Sequence, residues 1–126
     1  MAQGEIRANT VQARSTDTFG RVLCNTRNHH FIVDGPAQNG CPGEALTPAE
    51  LFLAGIAACG VELVQVIARD EKLPLRAVNV EISGARDPSN PVRRDVTVFN
   101  TVRLRFEVKG VTQQQAGLLI DRFKGR

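Results

Sequence analysis

The sequence contains no tryptophan and no tyrosine, so its six phenylalanines supply all of the aromatic side chains. Proteins that bind single-stranded nucleic acid stack the bases on aromatic rings and follow the backbone with basic side chains. Here the 16 lysines and arginines are scattered, with no run longer than Arg93-Arg94, and the net charge is only +3. We therefore expect no nucleic-acid partner.

Cysteine is also scarce. Cys24, Cys41 and Cys59 are an odd number without the spacing of a disulfide framework, and the N-terminal "MAQGEIRANT" lacks the apolar segment of a signal peptide. Both features predict a cytoplasmic protein, in which cysteines are usually free, metal-binding or catalytic. His29 and His30 would point to opposite faces of a strand, so we expect no metal site. No nucleotide-binding motif occurs, and we expect no cofactor.

Alternation of apolar and polar residues predicts most of the secondary structure. A bulged strand is predicted in "EIRANTVQAR", a strand pair in "FGRVLCNT" and "HHFIVDG", and two later strands in "RAVNVEIS" and "VTVFNTVRLRFEV". A short amphipathic helix, "TQQQAGLLIDRFKG", closes the chain. This order predicts an α+β fold with a five-stranded antiparallel sheet and helices packed on one side, as a single domain over residues 1–126.

The stretch "TPAELFLAGIAACGVELVQVIARDEK" predicts a long helix before the last two strands. Thr47 can cap its N-terminus, and Glu50, three residues later, completes a capping box. Leu73 precedes a proline and is therefore disfavoured in a helix, so the helix should end there. An 18-residue apolar run is long enough to cross a membrane. Because Glu62 and Gln65 lie inside that run, we expect no membrane partner.

The predicted helix is apolar nearly all round, so it must be covered on all sides. The sheet covers one side and the short C-terminal helix only part of the other. A second copy of the chain is the simplest remaining cover, and the small side chains near the middle of the helix would allow close approach. We therefore predict an intimate homodimer, and a monomer with the helix cradled by its own sheet is the alternative. The predicted wide apolar face consists of Phe52, Ile56, Leu63 and Ile67, and the small residues are Gly55, Ala57, Ala58 and Gly60.

Cys59 lies near the middle of this helix, at the border between its wide apolar face and its narrower face of small and polar groups. A free cysteine there is either a small core residue or a reactive thiol. A mid-helix position gains nothing from the helix N-terminus, and Glu62 one turn on disfavours a thiolate. A reactive Cys59 therefore needs a cation from elsewhere, for which Arg14 and Arg21 on the first hairpin are candidates. We favour Arg21.

The motif "HHFIVDGP…TPAELFLAGIAACG" resembles the OsmC/Ohr superfamily, the osmotically induced and organic hydroperoxide resistance proteins. The resemblance covers most of the chain and implies an intertwined homodimer. It also implies that Cys59 is a peroxidatic cysteine, which attacks the O–O bond of an organic hydroperoxide and is recycled by a thiol reductant. The resulting hypothesis is a cytoplasmic, thiol-dependent hydroperoxide reductase that serves in oxidative stress defence.

The chain also departs from the pattern of these enzymes. These enzymes have a second, resolving cysteine near the C-terminus, and this chain ends in "DRFKGR" about where that cysteine would begin. Either the chain is truncated or an external thiol resolves the sulfenic acid, with Cys41 and Cys24 as candidate substitutes. Their arginine precedes the second strand. In this chain Thr18 and Phe19 occupy that place, and Arg21 lies only near it. Their glutamate stands ten residues before the cysteine, at Ala49, and Glu50 is one later.

Glu50 has two possible roles. In a straight helix, its nine-residue spacing places it about 13 Å along the axis from Cys59 and on the opposite side, so capping is favoured over catalysis. The departures support an alternative function. In that alternative, the protein is a non-catalytic dimer that binds an apolar small molecule, with Cys59 inert or acting as a redox sensor.

Overall fold

A computed structural model of the chain describes residues 4–125 and divides it into two compact units. The first unit ends at Leu51 and the second begins at Phe52. The single domain over residues 1–126 stays a prediction, and the suggested truncation after Arg126 lies outside the described residues.

The first unit contains a three-stranded antiparallel meander. Its strands are β1 (Gln12–Ser15), β2 (Arg21–Thr26) and β3 (His29–Asp34), in the order β1-β2-β3. Arg27 and Asn28 make the β2–β3 turn with φ values of 46° and 68°. Two left-handed residues in a two-residue turn match the twist of the flanking strands, and the predicted strand pair is confirmed.

The predicted start of the first strand at Glu5 is wrong. The ladder begins at Gln12, which is opposite Asn25, and β2 ends one residue later at Thr26. Because β2 turns back there, the described residues 4–10 lie beyond the end of the ladder.

The long helix, α1 (Pro48–Asp70), is confirmed together with its cap. The Thr47 backbone N–H donates to Glu50 Oε1 at 2.9 Å, and the Glu50 N–H donates to Thr47 Oγ1 at 3.2 Å. This reciprocal pair is the predicted capping box. The helix is followed by Lys72 in a left-handed conformation (φ 58°), just before the predicted end at Leu73.

The second unit contains a two-stranded antiparallel sheet and a second helix. The elements are β4 (Ala77–Ala85), β5 (Thr101–Lys109) and α2 (Gln113–Lys124). The predicted five-stranded sheet is therefore wrong, because the described strands form two sheets, of three and two strands. Each sheet joins strands that are consecutive in the chain, and α1 comes between the two groups in sequence.

The last strand begins later than its sequence pattern predicts. Alternation starts at Val96, but β5 starts at Thr101 because Asn100 ties the preceding loop to itself. Its Oδ1 accepts from the Asp87 N–H at 2.7 Å, and its Nδ2 donates to the Asn90 carbonyl at 2.7 Å. These bonds hold the loop after β4 and keep the preceding residues out of the ladder.

The core of the second unit forms between α1, α2 and the sheet. The fully buried cluster is Val64, Ile67, Ala68 and Leu119, and the residues packed around it are Leu73, Leu75, Val78, Phe106, Val108, Val111 and Phe123. Of the predicted wide apolar face of α1, Ile67 is buried and Phe52 is 58% exposed within the single chain. The buried positions of α1 are Gly60, Val64, Ile67 and Ala68. By length and composition alone α1 could also cross a membrane, and only 22% of its most apolar window is buried.

Candidate functional site

Cys59 is a free cysteine on the exposed side of α1. The next residue, Gly60, is buried, and a Cβ built on it would lie 3.3 Å from the ring of Phe106 and 3.8 Å from that of Phe123. The two rings meet edge to face, with centroids 5.2 Å apart. The helix thus packs its backbone against the aromatic pair at Gly60, and one step further round the helix Cys59 is exposed. The reading of Cys59 as a core residue does not hold within this chain.

The surroundings of Cys59 on α1 are apolar and small. Gly55 and Ala58 are exposed beside it, and Glu62 is the nearest acidic group on the same helix. Seven residues make nearly two turns, so Phe52 lies on the same side about 10 Å along the helix axis. The Phe52 ring stacks on Phe99, with centroids 6.1 Å apart and an angle of 26°. The exposed thiol therefore sits at one end of an apolar strip of the second unit.

In the first unit, Arg21 is held by two carboxylates. Its Nε donates to Asp34 Oδ1 at 2.8 Å and its Nη2 to Asp34 Oδ2 at 3.0 Å, which is a bidentate pair. Nη2 also donates to Glu44 Oε1 at 2.8 Å. Asp34 is fully buried, whereas the Glu44 side chain is 77% exposed. One guanidinium thus joins a buried and an exposed acid.

The Asp34 carboxylate accepts four hydrogen bonds, two of them from Arg21. Besides Arg21, its Oδ2 accepts the backbone N–H groups of Glu44 at 3.0 Å and Ala45 at 2.8 Å. The Arg21 hydrogen bonds, followed by the Ala45 N–H, hold the pKa of Asp34 well below its usual range despite its burial. The same bonds to Asp34 and Glu44 raise the pKa of Arg21. Asp34 therefore stays ionised across the physiological range and fixes the loop that follows β3.

Cys41 is packed where this loop returns to the strands. Its side chain lies against Gly20 and Gly35, the residues that flank Arg21 and Asp34 in the chain, and a Cβ on either glycine would collide with it. The Gly35 N–H donates to the Gly20 carbonyl at 2.8 Å. A half-buried Cys41 thus fills a notch beside the ion pair.

The other candidates from the sequence occupy separate positions. Arg14 is exposed on β1, and Cys24 is buried on β2 at 7% exposure. Glu50 is exposed and engaged in the helix cap, and its hydrogen bonds with Thr47 lower its pKa. Catalytic roles for Cys59, Arg21 and Glu50 stay predictions.

Sequence reasoning missed the roles of Asp34 and Glu44. The signal for Asp34 was present, because a hairpin that turns at Arg27-Asn28 places Arg21 directly opposite Asp34. The position of Glu44 depends on how an irregular loop folds back, and no periodicity encodes that.

In the first unit, two carboxylates bind Arg21 and Cys41 packs nearby. In the second unit, the long helix carries the exposed Cys59 near its middle. Together with the α+β architecture, these features define the class of small proteins built around a cysteine-bearing helix. Residues 41–126 match the sequence model of a protein family described as OsmC-like protein. The chain belongs to the OsmC-like family, as the sequence motif predicted.

Solved structures agree on the fold. An OsmC-like protein from Mycoplasma pneumoniae matches with a TM-score of 0.80 at 16% identity, over 95% of this chain and 82% of that chain. An organic hydroperoxide resistance protein OsmC from Legionella pneumophila matches with a TM-score of 0.72 at 22% identity, over 94% and 83%. An organic hydroperoxide resistance protein from Elizabethkingia anophelis matches with a TM-score of 0.69 at 19% identity, over 96% of this chain and 84% of that chain. A search of curated proteins found no significant match.

Proposed function

We propose that this protein is a thiol-dependent reductase of organic hydroperoxides, with Cys59 as the nucleophile. The observation that carries the proposal is the exposed, unpaired Cys59 on the apolar side of α1. Membership of the OsmC-like family and the similar structures named as organic hydroperoxide resistance proteins support it.

The reaction has two balanced half-reactions. The Cys59 thiolate attacks the distal oxygen of ROOH, the O–O bond breaks, and the alkoxide takes up a proton to leave as ROH. Sulfur is oxidised to a sulfenic acid and the peroxide is reduced. Two external thiols then reduce the sulfenic acid, giving a disulfide, one water molecule and the restored thiol.

Arg21 is the proposed activating cation. A guanidinium favours a thiolate and donates hydrogen bonds to a developing alkoxide. Within the described residues, its Nη1 atom makes no hydrogen bond to protein, whereas Nε and Nη2 are engaged. Nη1 is therefore the atom through which we expect Arg21 to act.

We further propose an intertwined homodimer that operates in the cytoplasm. The support is the uncovered side of α1, on which Phe52, Gly55 and Ala58 are exposed beside Cys59. A contiguous apolar surface of this kind on a soluble protein usually marks an interface. A second copy of α1 would cover it and surround the sulfur with apolar groups, which favours organic peroxides over hydrogen peroxide.

The test is consumption of cumene hydroperoxide with dithiothreitol as the reductant. We expect the wild type to consume peroxide, Cys59→Ser to lose nearly all of that activity, and Cys24→Ser to retain it because Cys24 is buried. If the wild type and Cys59→Ser consume peroxide equally slowly, the proposed enzyme activity is refuted.

A non-catalytic redox sensor is the second candidate. It is favoured by the two carboxylates on Arg21, which offset its positive charge. The mass of the intact protein after one equivalent of peroxide separates the two. A sensor retains an oxygen adduct on Cys59 when thiol is added slowly, whereas an enzyme returns to the reduced mass and turns over repeatedly.

A further inference from the structure

Arg21 is bound by two carboxylates that differ in almost every physical respect. Asp34 is fully buried, makes a bidentate pair with Arg21 and accepts two backbone N–H groups from the following loop. The Glu44 side chain is 77% exposed and reaches Arg21 through a single bond to Nη2. Exposed ion pairs contribute little because water and salt compete for both partners, whereas a buried bidentate pair is costly to break.

We infer that Asp34 is the positioning residue for Arg21 and that Glu44 is a second, exchangeable carboxylate on the same guanidinium. The inference rests on the proposed role of Arg21 and deepens it. Asp34 fixes the plane of the guanidinium, because two parallel N–H···O bonds leave it no rotation. The Arg21 side chain is 30% exposed, and its Nη1 atom has no hydrogen-bond partner among the described residues.

Glu44 is tied to the same carboxylate by its own backbone. Because its N–H donates to Asp34 Oδ2 at 3.0 Å, its position along the chain is fixed while its side chain remains exposed. Its carboxylate therefore stays within reach of Arg21 and can leave when another anionic group, such as a developing alkoxide, takes its place on the guanidinium. Glu44 should thus lower the electrostatic influence of Arg21 in the resting protein.

The packing of Cys41 also holds the loop next to this ion pair. Cys41 fills the space against Gly20 and Gly35, which adjoin the two partners in the chain. The loop is also tied by the Asp34 N–H to the Leu46 carbonyl at 2.9 Å. Asp34 is therefore the point at which strand, loop and guanidinium are joined.

The experiment compares two matched charge-neutralising variants, Asp34→Asn and Glu44→Gln. We expect Asp34→Asn to lower kcat/KM for cumene hydroperoxide by about tenfold to a hundredfold, as expected of a misplaced catalytic group. An asparagine amide would direct N–H groups at the N–H donors of Arg21 or the loop. Glu44→Gln should not lower kcat/KM, because it removes a competing charge. Asp95→Asn, which removes the carboxylate of the exposed Arg93 pair, is the control and should leave activity unchanged.

Two readouts separate positioning from simple loss of stability. The ¹⁵N NMR signal of Arg21 Nε–H should shift in Asp34→Asn and stay in place in Glu44→Gln. The pH profile of Cys59 alkylation should move to higher pH in Asp34→Asn, and in an Arg21→Ala background Asp34→Asn should have no further effect on it. If Asp34→Asn does not fold, Arg21→Lys keeps the charge without the bidentate geometry and should show the same loss.

The outcomes keep the inference distinct from the proposed function. Equal shifts of the Arg21 signal in both variants, or equal losses of activity, would overturn the positioning role of Asp34. So would an undiminished effect of Asp34→Asn in the Arg21→Ala background. Activity that survives Cys59→Ser would overturn the proposed function instead, and the NMR comparison would still report on Asp34.

Discussion

At the scale of single residues, Asp34 shows how a hairpin turn determines an ion pair between residues six positions away on either side of it. The two-residue turn at Arg27-Asn28 sets the register, and the register places Arg21 opposite Asp34. Burial of this carboxylate is tolerated because it accepts four hydrogen bonds, two from Arg21 and two from backbone N–H groups of the loop. The pair therefore links the sheet, the loop and the proposed chemistry.

Stability should fall in acid partly because of Asp34. Its folded-state pKa lies below the usual value, so the unfolded chain takes up a proton near pH 4 that the folded protein resists. The contribution of ionised Asp34 to the free energy of unfolding is therefore complete above that pH and is lost as the pH falls below it. We expect the Tm of the wild type to drop more steeply between pH 6 and pH 3 than that of Asp34→Asn, as thermal unfolding can measure. Parallel curves would contradict this assignment.

Gly35→Ala should destabilise the protein. The added Cβ would lie 2.5 Å from Cys41 Sγ and 2.9 Å from its Cβ, so the loop must move. We expect a loss of about 1–3 kcal/mol in the free energy of unfolding, measured with urea.

Two controls accompany this substitution. Its cost should be smaller in a Cys41→Ala background, where the sulfur is absent. Gly117→Ala, in α2 with nothing within 4 Å of the new Cβ, should instead stabilise by about 0.5–1 kcal/mol. An unaffected Gly35→Ala would show that the notch is not close-packed.

At the scale of elements, the second unit depends on two helices that share one buried cluster. Leu119 of α2 is fully buried against Val64 and Ile67 of α1, whereas its neighbour Leu118 is 38% exposed. α2 begins with a capping box between Thr112 and Gln115. Leu119 is therefore the fully buried contact of α2, and Phe123 packs around the same cluster.

Leu119→Ala should cost about 2–5 kcal/mol in the free energy of unfolding, because it leaves a cavity in the cluster. Leu118→Ala changes the same atoms at a partly exposed position and should cost clearly less. Denaturation in urea compares the two directly. Equal costs would mean that α2 does not dock through Leu119 in solution.

Local patterns predicted the elements well where a local cause decides them. The Thr47–Glu50 cap, the turn at Arg27-Asn28 and the alternation in β4 are encoded within a few residues, and the structure follows them. The alternation predicts a start of β5 at Val96, which is too early. The reason is that the Asn100 side chain binds the preceding loop, and periodicity carries no information about such a bond. The exposure of Cys59 depends on which side of α1 the aromatic pair covers, and the sequence alone left that open.

At the scale of the whole molecule, the family could be predicted from one motif and the α+β fold from the order of the predicted elements, whereas the assembly stays a prediction. We expect the wild type to sediment at twice the mass of the chain. Ala58→Glu places a charge on the exposed side of α1 and should dissociate the dimer, because an unpaired buried charge is costly. Sedimentation velocity measures both.

A matched control adds the same charge elsewhere. Gln114→Glu lies on the exposed part of α2 and should leave the dimer intact. A wild type that sediments as a monomer would refute the proposed assembly, and the enzyme hypothesis would then have to do without a second subunit.

The burial of Cys24 in the middle strand of the meander makes it a natural reporter. A thiol reagent reaches that sulfur only when the packing over that face of the sheet opens, so its labelling rate measures openings of the first unit. In a Cys41→Ser/Cys59→Ser variant, the rate gives the free energy of that opening without any denaturant. Comparison with urea unfolding would reveal whether the meander opens alone or only when the entire chain unfolds.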